Sequence, residues 1–348
     1  MKRAATIGLD IAKDIFQVHG ANRQGETLFN RKLRRSEVLD FFKKLPKCLV
    51  GLEACGTGHH WARSIRKLGH DVRLIHPSYV KPFVKRDKTD ANDAEAINEA
   101  MTRKTMRFVA VKTAEQQASG LNFRLRSLLV RQRAQMANSL RSHLAEFGIL
   151  APGRGFSRVT SAARNALATK GAIPTEAHSA FEHFIDQIEA TNERIGKLEQ
   201  KILDDAKRDE TARRLITIPG IGPIIAMAII SLAPSAGTFK SSRHFAAWVG
   251  LTPRNYSSGG VQMLGSVTKM GNRQLRSLLV MGAISVLKGV KPGESNPQWL
   301  ARLKQRRPYR VAAVALANKT ARIVWALLIK GGTYEVSQKN GAINGSPA

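Results

Sequence analysis

The chain has 348 residues, with 56 Lys+Arg against 26 Asp+Glu and a formal net charge of +30. At roughly 150 residues per domain that length suits two or three domains, and 43% hydrophobic residues exclude wholesale disorder. Two cysteines, Cys48 and Cys55, exclude a disulfide framework and a zinc-ligand spacing and suit a reduced cytosolic compartment. So large an excess of positive charge repels itself in a compact fold, so a polyanionic partner is expected. Nucleic acid is the first candidate and an anionic membrane surface the second.

The N-terminal apolar stretch is too short for a signal sequence, and Asp10 interrupts it. Residues 5–20 predict a strand that turns and returns as another, 36–45 a short helix, and Leu49 to Glu53 an apolar strand ending in a carboxylate. A helix over about 59–68, a strand at Asp71–Ile75 and a helix from Thr89 to about Arg103 follow. This alternation argues for an α/β domain. From about Ala114 the pattern is helical and basic. Arg124, Arg126, Arg131, Arg133 and Arg141 fall in a stretch without an acid, and the spacings 124/131 and 126/133 put each pair near one face. Segment 151–175, rich in Gly, Ser, Ala and Pro, reads as a boundary.

Residues 181–202 carry the clearest periodicity. Phe181, Phe184, Ile188, Thr191, Ile195, Leu198 and Ile202 step by three and four, the seam of a coiled coil. Between 181 and 210 stand nine acids and five bases, a net −4, so the rest of the chain carries +34. An acidic helix in a basic chain suits a dimerisation seam or an intramolecular hairpin rather than a DNA contact. Further on, Ile218-Pro-Gly-Ile-Gly-Pro223 lies between two helical patterns. It suits a helix–hairpin–helix turn in which Gly220 and Gly222 let backbone amides approach a phosphate, or a plain helix–helix turn. The apolar runs Ile224 to Ala233 and Val311 to Lys330 read as core helices, the first too short for a bilayer and the second interrupted by Asn318, Lys319 and Arg322. The polar tail from about Gln338 reads as disordered.

Four acids stand where an acid is awkward. Asp10 sits inside an apolar run, Glu53 ends an apolar strand, and Asp90 and Asp93 lie three apart at a helix start. A lone buried carboxylate costs several kcal/mol; a divalent cation offsets that cost. Mg²⁺, or Mn²⁺ in its place, takes oxygen ligands and leaves positions for phosphate oxygens, and two such ions suit phosphoryl transfer. Singly, Asp90 also fits a helix N-terminal acid and Asp10 a partner of Lys13. Leu251 to Gly260 reads as a polar loop between apolar helices, in which Ser257 or Ser258 is a nucleophile candidate or part of an ordinary turn. Lys269, Arg273, Arg276, Lys288 and Lys291 follow, either as nucleic-acid contacts or as a solvated face.

The whole pattern resembles the DEDD transposases of bacterial insertion sequences, the group that includes the Piv DNA invertase and the bridge-RNA-guided recombinases. The resemblance lies in Ile7-Gly-Leu-Asp-Ile-Ala-Lys13, Leu52-Glu-Ala54 with Gly56, Lys88-Thr-Asp-Ala-Asn-Asp-Ala94, Ile218-Pro-Gly-Ile-Gly222, Phe245 to Pro253, Tyr256-Ser-Ser-Gly259, Lys269-Met-Gly-Asn272 and Leu275-Arg276. These pieces cover nearly the full chain in the family's order; Cys55 to His60 departs from some branches. The resemblance implies an α/β RuvC-like, ribonuclease-H-type domain (1–150), a linker and coiled-coil dimerisation helix (151–212), a mostly α C-terminal transposase domain (213–337) and a polar tail (338–348). It carries the acidic set onto Asp10, Glu53, Asp90 and Asp93 and the nucleophile onto Ser258, with Ser257 second. It further implies Mg²⁺ dependence, a covalent phosphoserine, DNA as substrate, a structured non-coding guide RNA, and a dimer that pairs into a tetramer on DNA. The expected setting is cytoplasmic, at the nucleoid, without a membrane. A RuvC-type junction nuclease that needs no serine is the alternative, and a non-catalytic nucleic-acid-binding protein is a third reading.

Overall fold

The computed structural model describes residues 4–85, 87, 89–289 and 298–335. Lys88, Lys291 and the tail from Gln338 lie outside the described residues. Contacts divide the chain into a first unit ending at Gln117 and a second beginning at Ala118.

The first unit is built on β1 (Thr6–Asp10), β2 (Ile15–Ala21), β3 (Thr27–Arg34), α1 (Val38–Lys43), β4 (Leu49–Glu53), α2 (Gly58–Lys67), β5 (Asp71–Ile75), α3 (Pro77–Val80), α4 (Asp90–Thr102) and β6 (Phe108–Val109). The six strands form one mixed sheet in the order β3-β2-β1-β4-β5-β6. β1 runs antiparallel to β2 and parallel to β4, with Leu9 opposite Leu52. The strands and helices expected between residues 5 and 103 are present, while β3 has no counterpart in the sequence reading. Its exposed Asn30, Arg31 and Lys32 break any apolar alternation, as suits an edge strand guarded by charge.

Alternation sorts the strands onto two faces. Ile7, Leu9, Val50, Leu52, Val72 and Leu74 pack on one face with Phe42 of α1 and Trp61 and Ile65 of α2. On the other face, where Leu49 and Ile75 pack with Ile97 and Met101 of α4, glycines of β1 and β4 let the helix come close. A Cβ on Gly8 would lie 2.0 Å from the Ala94 carbonyl oxygen and 2.7 Å from the Asn98 amide nitrogen. One on Gly51 would lie 2.7 Å from Met101 Sδ. The helix backbone therefore rests directly on the sheet. Asn98 fixes it there by donating to the carbonyl oxygens of His19 at 3.1 Å and Thr6 at 3.4 Å.

The second unit comprises most of α5 (Ala114–Glu146), then α6 (Phe156–Ala168), α7 (Thr175–Arg208), α8 (Glu210–Ile216), α9 (Pro223–Leu232), α10 (Ser242–Val249), β7 (Pro253–Asn255), β8 (Leu264–Val267), α11 (Arg273–Lys288), α12 (Gln298–Arg306) and α13 (Tyr309–Lys330). Segment 151–175, read as a boundary, holds α6. The heptad seam lies on α7, with Phe181, Ile188, Thr191, Ile195 and Ile202 buried. α5 of the same chain is its partner. Arg126 meets Glu199, Arg133 meets Asn192, His143 meets Phe184 and Phe147 meets Phe181, the descending register of an antiparallel hairpin. This is the intramolecular alternative of the sequence reading. Leu140, Leu144, Val159, Ala163, Phe181, Ile185 and Ile188 make its core with α6. α9 and α13 are core helices: Ala226, Ala228 and Ile229 of the first and Ala312, Ala313, Ala317, Ala321 and Val324 of the second are buried in one cluster. Among the described residues α13 is the one helix long and apolar enough to cross a membrane.

Gly8→Ala forces α4 off β1 and is expected to lower stability by about 3 kcal/mol, the cost of overpacking a close contact. Gly56→Ala, where a Cβ meets nothing within 4 Å, is expected to change it little. Urea unfolding of the full chain followed by tryptophan fluorescence compares the two; equal midpoints would mean that α4 does not rest on the strand backbone.

Candidate active site

The site builds on a simple consequence of parallel pairing. Because Leu9 lies opposite Leu52 on adjacent parallel strands, Asp10 and Glu53, the next residue of each, end side by side. Asp10 shares a face with Gly8 and Glu53 with Gly51, two residues apart on each strand, so both carboxylates stand on the α4 side. Both are half-buried.

α4 supplies the other two acids. Its sheet-facing stripe is Ala94, Ile97, Asn98 and Met101, and continuing that stripe back one turn reaches Asp90 and Asp93. Asn98 sits over Thr6 and Ala94 over Gly8, so the helix runs opposite to β1 and its first turn lies toward Asp10. Thr89 caps the helix by accepting from the Asn92 amide at 3.2 Å, which frees Asp90 from that duty. Asp93 is half-buried and Asp90 exposed. The four predicted acids thus fall on one face at one end of the sheet.

The donor chemistry of this edge suits a hard divalent cation, since every donor is oxygen. Gln17 stands opposite Asp10 on β2; its Nε2 donates to Asn30, but its buried Oε1 has no partner among the described residues. An acceptor without a donor beside a carboxylate pair is the environment a cation satisfies. As they stand, no three acidic, histidine or cysteine side chains of the described residues form a ready ligand cluster. Neighbouring His19 is buried, and burial lowers its pKa, so the imidazole adds no charge near neutral pH.

At the same end of the sheet, a cleft of about 690 Å³ is lined by Asp14, Arg34, Arg35, His60 and Trp61. The Arg35 guanidinium lies 5.2 Å from the Trp61 ring centre. The sequence reading missed this cleft, because its residues come from three separated segments and only register assembles them.

In the second unit the predicted polar loop is a β-hairpin, β7–β8. Ser258 to Val261 close its tip: the Val261 amide donates to Ser258 O at 3.0 Å, and Gly259 and Gly260 hold φ of +57° and +79°. Positive φ at both central residues marks a type I′ turn, which favours glycine. The two serines differ. The Ser257 hydroxyl donates to Asn255 and accepts from the Met263 amide at 3.3 Å, so it holds the loop together. The Ser258 hydroxyl makes no hydrogen bond among the described residues and is exposed at the tip.

The basic candidates divide likewise. Arg126 donates to Glu199 and is largely buried; Arg133 donates to Asn192 and stacks 4.3 Å from the Phe156 ring centre, its pKa lowered by burial. Arg276 donates to Val249 O at 3.0 Å, closing the end of α10, and burial lowers its pKa too. These three arginines hold helices together. Arg124, Arg131, Lys269 and Arg273 are exposed. Gln274 joins the start of α11 to the Arg124 stretch of α5 through Phe123 O at 2.5 Å and Ser127 Oγ at 2.6 Å.

The predicted hairpin falls between α8 and α9. Gly220, at φ +86°, is a packing position: a Cβ there would lie 2.8 Å from the Gly282 carbonyl oxygen of α11. Gly222 precedes α9 as its N-cap, and a Cβ there meets nothing within 4 Å.

Two family models match the two halves of the chain. Residues 7–149 match a family described as Transposase, the DEDD domain of the IS110 group, and residues 212–297 match the Transposase IS116/IS110/IS902 family. The chain is 47% identical over 330 residues to a Pseudomonas aeruginosa protein named "Probable family 20 transposase", spanning 94% of this chain and 98% of that one. It is 37% identical to the transposase for insertion sequence element IS1111A of Coxiella burnetii, over 96% and 92% of the two chains. It is 23% identical to a pilin gene-inverting protein of Moraxella bovis, over 82% and 81%. Fold, acidic edge and these matches define the class, a DEDD-type enzyme of DNA transposition. The chain belongs to the IS110 family of insertion-sequence transposases.

Two outcomes follow from the packing. Arg126→Ala and Arg133→Ala are each expected to cost about 1–2 kcal/mol, through a lost ion pair or a lost stacked hydrogen bond, whereas Arg124→Ala and Arg131→Ala leave the thermal midpoint in place. Burial pushes the Cys48 thiol from 9.0 up to about 11. Its folded pKa is raised, so its contribution to stability is full below pH 9 and is lost as pH rises toward 11. Iodoacetamide at pH 8 is therefore expected to alkylate Cys55 and spare Cys48 until the chain unfolds; equal labelling by mass spectrometry would contradict this.

Proposed function

We propose that this transposase cuts and rejoins DNA through a divalent-metal site on Asp10, Glu53, Asp90 and Asp93 and a covalent phosphoserine at Ser258. The single observation that carries the proposal is the convergence of four carboxylates, two from adjacent strand ends and two from the overhanging turn of α4, on one face of the sheet. The strand order β3-β2-β1-β4-β5 with an antiparallel first hairpin supports a RuvC-like, ribonuclease-H-type reading of this unit.

Bound at this edge, Mg²⁺ or Mn²⁺ supplies charge that stabilises the phosphorane-like transition state. The chain's own groups do the rest. Asp10, Glu53, Asp90 and Asp93 would hold the ion. Ser258 presents an uncommitted hydroxyl on a turn whose glycines leave the approach to its oxygen unhindered. The hydroxyl attacks a DNA phosphodiester, its proton passes by way of solvent to the departing 3′ oxygen, and a 3′-hydroxyl is released; a 3′-hydroxyl of the partner duplex later displaces the serine, which takes up the proton that this hydroxyl loses. One ester replaces another at each step, so no nucleotide hydrolysis is needed.

Exposed Arg124, Arg131, Lys269 and Arg273 contact the nucleic-acid backbone in this reading, with Gly222 at the open end of α9. A structured non-coding RNA that pairs with donor and target DNA supplies sequence choice, in keeping with the basic charge. Because the α7 seam is filled within the chain, a homodimer, and a tetramer at synapsis, form through other surfaces. The setting is the bacterial cytoplasm, at the nucleoid.

Arg124→Ala and Arg131→Ala are each expected to weaken DNA binding and lower the salt slope by about one unit; an unchanged slope would remove them from the interface. The mechanism is tested by incubating the chain with Mg²⁺, its flanking non-coding RNA and labelled element-junction DNA and running denaturing gels. A protein–DNA adduct is expected for wild type and for neither Ser258→Ala nor Asp10→Ala. Cut DNA without an adduct, unchanged in Ser258→Ala, is instead the result of a metal-dependent junction nuclease and overturns the serine mechanism.

A further inference from the structure

The tip that carries Ser258 is unusually apolar for a surface hairpin. Tyr256, Val261, Met263 and Leu264 are 58%, 61%, 62% and 68% exposed, and Met270 just after β8 is 66% exposed. The hairpin itself is well made. The Tyr256 amide donates to Met263 O at 2.9 Å, and the Tyr256 ring covers Gly265 so closely that a Cβ there would lie 2.4 Å from it. The exposed side chains are thus held outward by an ordered ribbon and the type I′ turn.

The surroundings state what kind of partner covers them. Residues 211–293 include ten Lys and Arg and no Asp or Glu. Arg254 near the start of β7, Lys269 just after β8 and Arg273 at the start of α11 stand toward the base of the hairpin and are exposed, with Lys269 in the left-handed region at φ +55°. A ribbon with apolar side chains toward its tip and cations toward its base complements a partner with anions outside and apolar faces inside. Duplex DNA, the substrate of this family, has phosphates outside and stacked bases within. Apolar side chains enter such a stack as wedges, and a two-stranded ribbon fits a groove.

We infer that the β7–β8 hairpin is a DNA-opening wedge: Val261, Met263 and Leu264 insert between base pairs beside the phosphate that Ser258 addresses, while Arg254, Lys269 and Arg273 hold the flanking phosphates. The placement beside the reacting phosphate rests on the serine reading, but insertion itself does not. The unstacked step would expose the phosphodiester on a kinked backbone, which a nucleophile fixed on a short turn needs in order to reach it in line.

The test uses the full chain as Ser258→Ala, so that no cutting follows binding, on element-junction duplexes carrying 2-aminopurine at successive positions. Gel shifts at low salt establish saturation. The expected result is a rise in 2-aminopurine fluorescence of about threefold or more at one or two adjacent steps, the signature of unstacking. It is lost in Val261→Ser with Leu264→Ser, both exposed positions, whose thermal midpoint checks the fold. Bound DNA with no rise at any step overturns the wedge and leaves the serine mechanism standing. Cut DNA without an adduct in the earlier gels, from wild type and Ser258→Ala alike, with the fluorescence rise intact, overturns the serine reading and leaves the wedge. A fall in assembly size on sedimentation in the apolar variants, with fluorescence unchanged, assigns the patch to a second copy of the chain and overturns the inference. Absence of any gel shift overturns the nucleic-acid reading and the wedge together.

Discussion

At Gly8 the backbone of a helix lies on the backbone of a strand, with no side chain between them. A methyl group there would meet the Ala94 carbonyl oxygen at 2.0 Å, so the axis of α4 is set by contact and not by a compressible layer of side chains. On β4, Gly51 leaves room for the side chains of Met101 and Ile97 of the same helix. Everything acidic in the site follows from this seat. A helix held so low carries its first turn over the strand ends, where parallel pairing has already set Asp10 beside Glu53. Concentrating four carboxylates on one edge costs electrostatic free energy that an apolar filling would avoid. That a chain with 30 excess positive charges nevertheless gathers acids here supports the proposal of a cation site beside a polyanion.

The division of charge in the second unit has the same logic. The acidic helix α7 turns Glu199 and Asn192 toward Arg126 and Arg133, so two of the four predicted DNA-binding arginines of α5 are consumed in holding the hairpin. The remaining cations face outward, and the region around the serine turn contains no carboxylate to compete with phosphate. Ser257 and Ser258 show how one residue of offset separates two duties. The first hydroxyl is spent on the loop's own geometry, and the second, the proposed nucleophile, makes no hydrogen bond among the described residues.

Much of the first unit was legible in the sequence because burial writes itself as pattern. The apolar run 49–52 ending in Glu53 and the alternating segment 71–75 read as strands, and Asp10 and Glu53 stood out as acids in apolar company. Edge strand β3 was hidden, since a strand exposed on most of its length has no alternation to show. The heptad stripe on α7 was plain, but a stripe announces only that a helix needs a partner; α5 of the same chain fills it, and no local spacing could say so. The hairpin β7–β8 was read as a loop because its strands are short and largely exposed, although Gly259-Gly260 is a turn signal. Gly220 read as a phosphate-approach glycine and serves a close contact with α11, a role fixed by a residue 62 positions away. The cleft around Trp61 was illegible for the same reason, its walls being joined only by strand register.

The claim at the centre is that the strand-end and helix-turn carboxylates hold one metal site. Fe²⁺ with peroxide in place of Mg²⁺ cleaves a polypeptide next to wherever the ion sits, so fragment mapping on the full chain locates it without requiring any activity. Cuts clustered near residues 10, 53 and 90–93, suppressed by excess Mg²⁺ and removed by Asp10→Asn, are the predicted result. Cuts elsewhere, or cuts at those positions that survive Asp10→Asn and excess Mg²⁺, would contradict it.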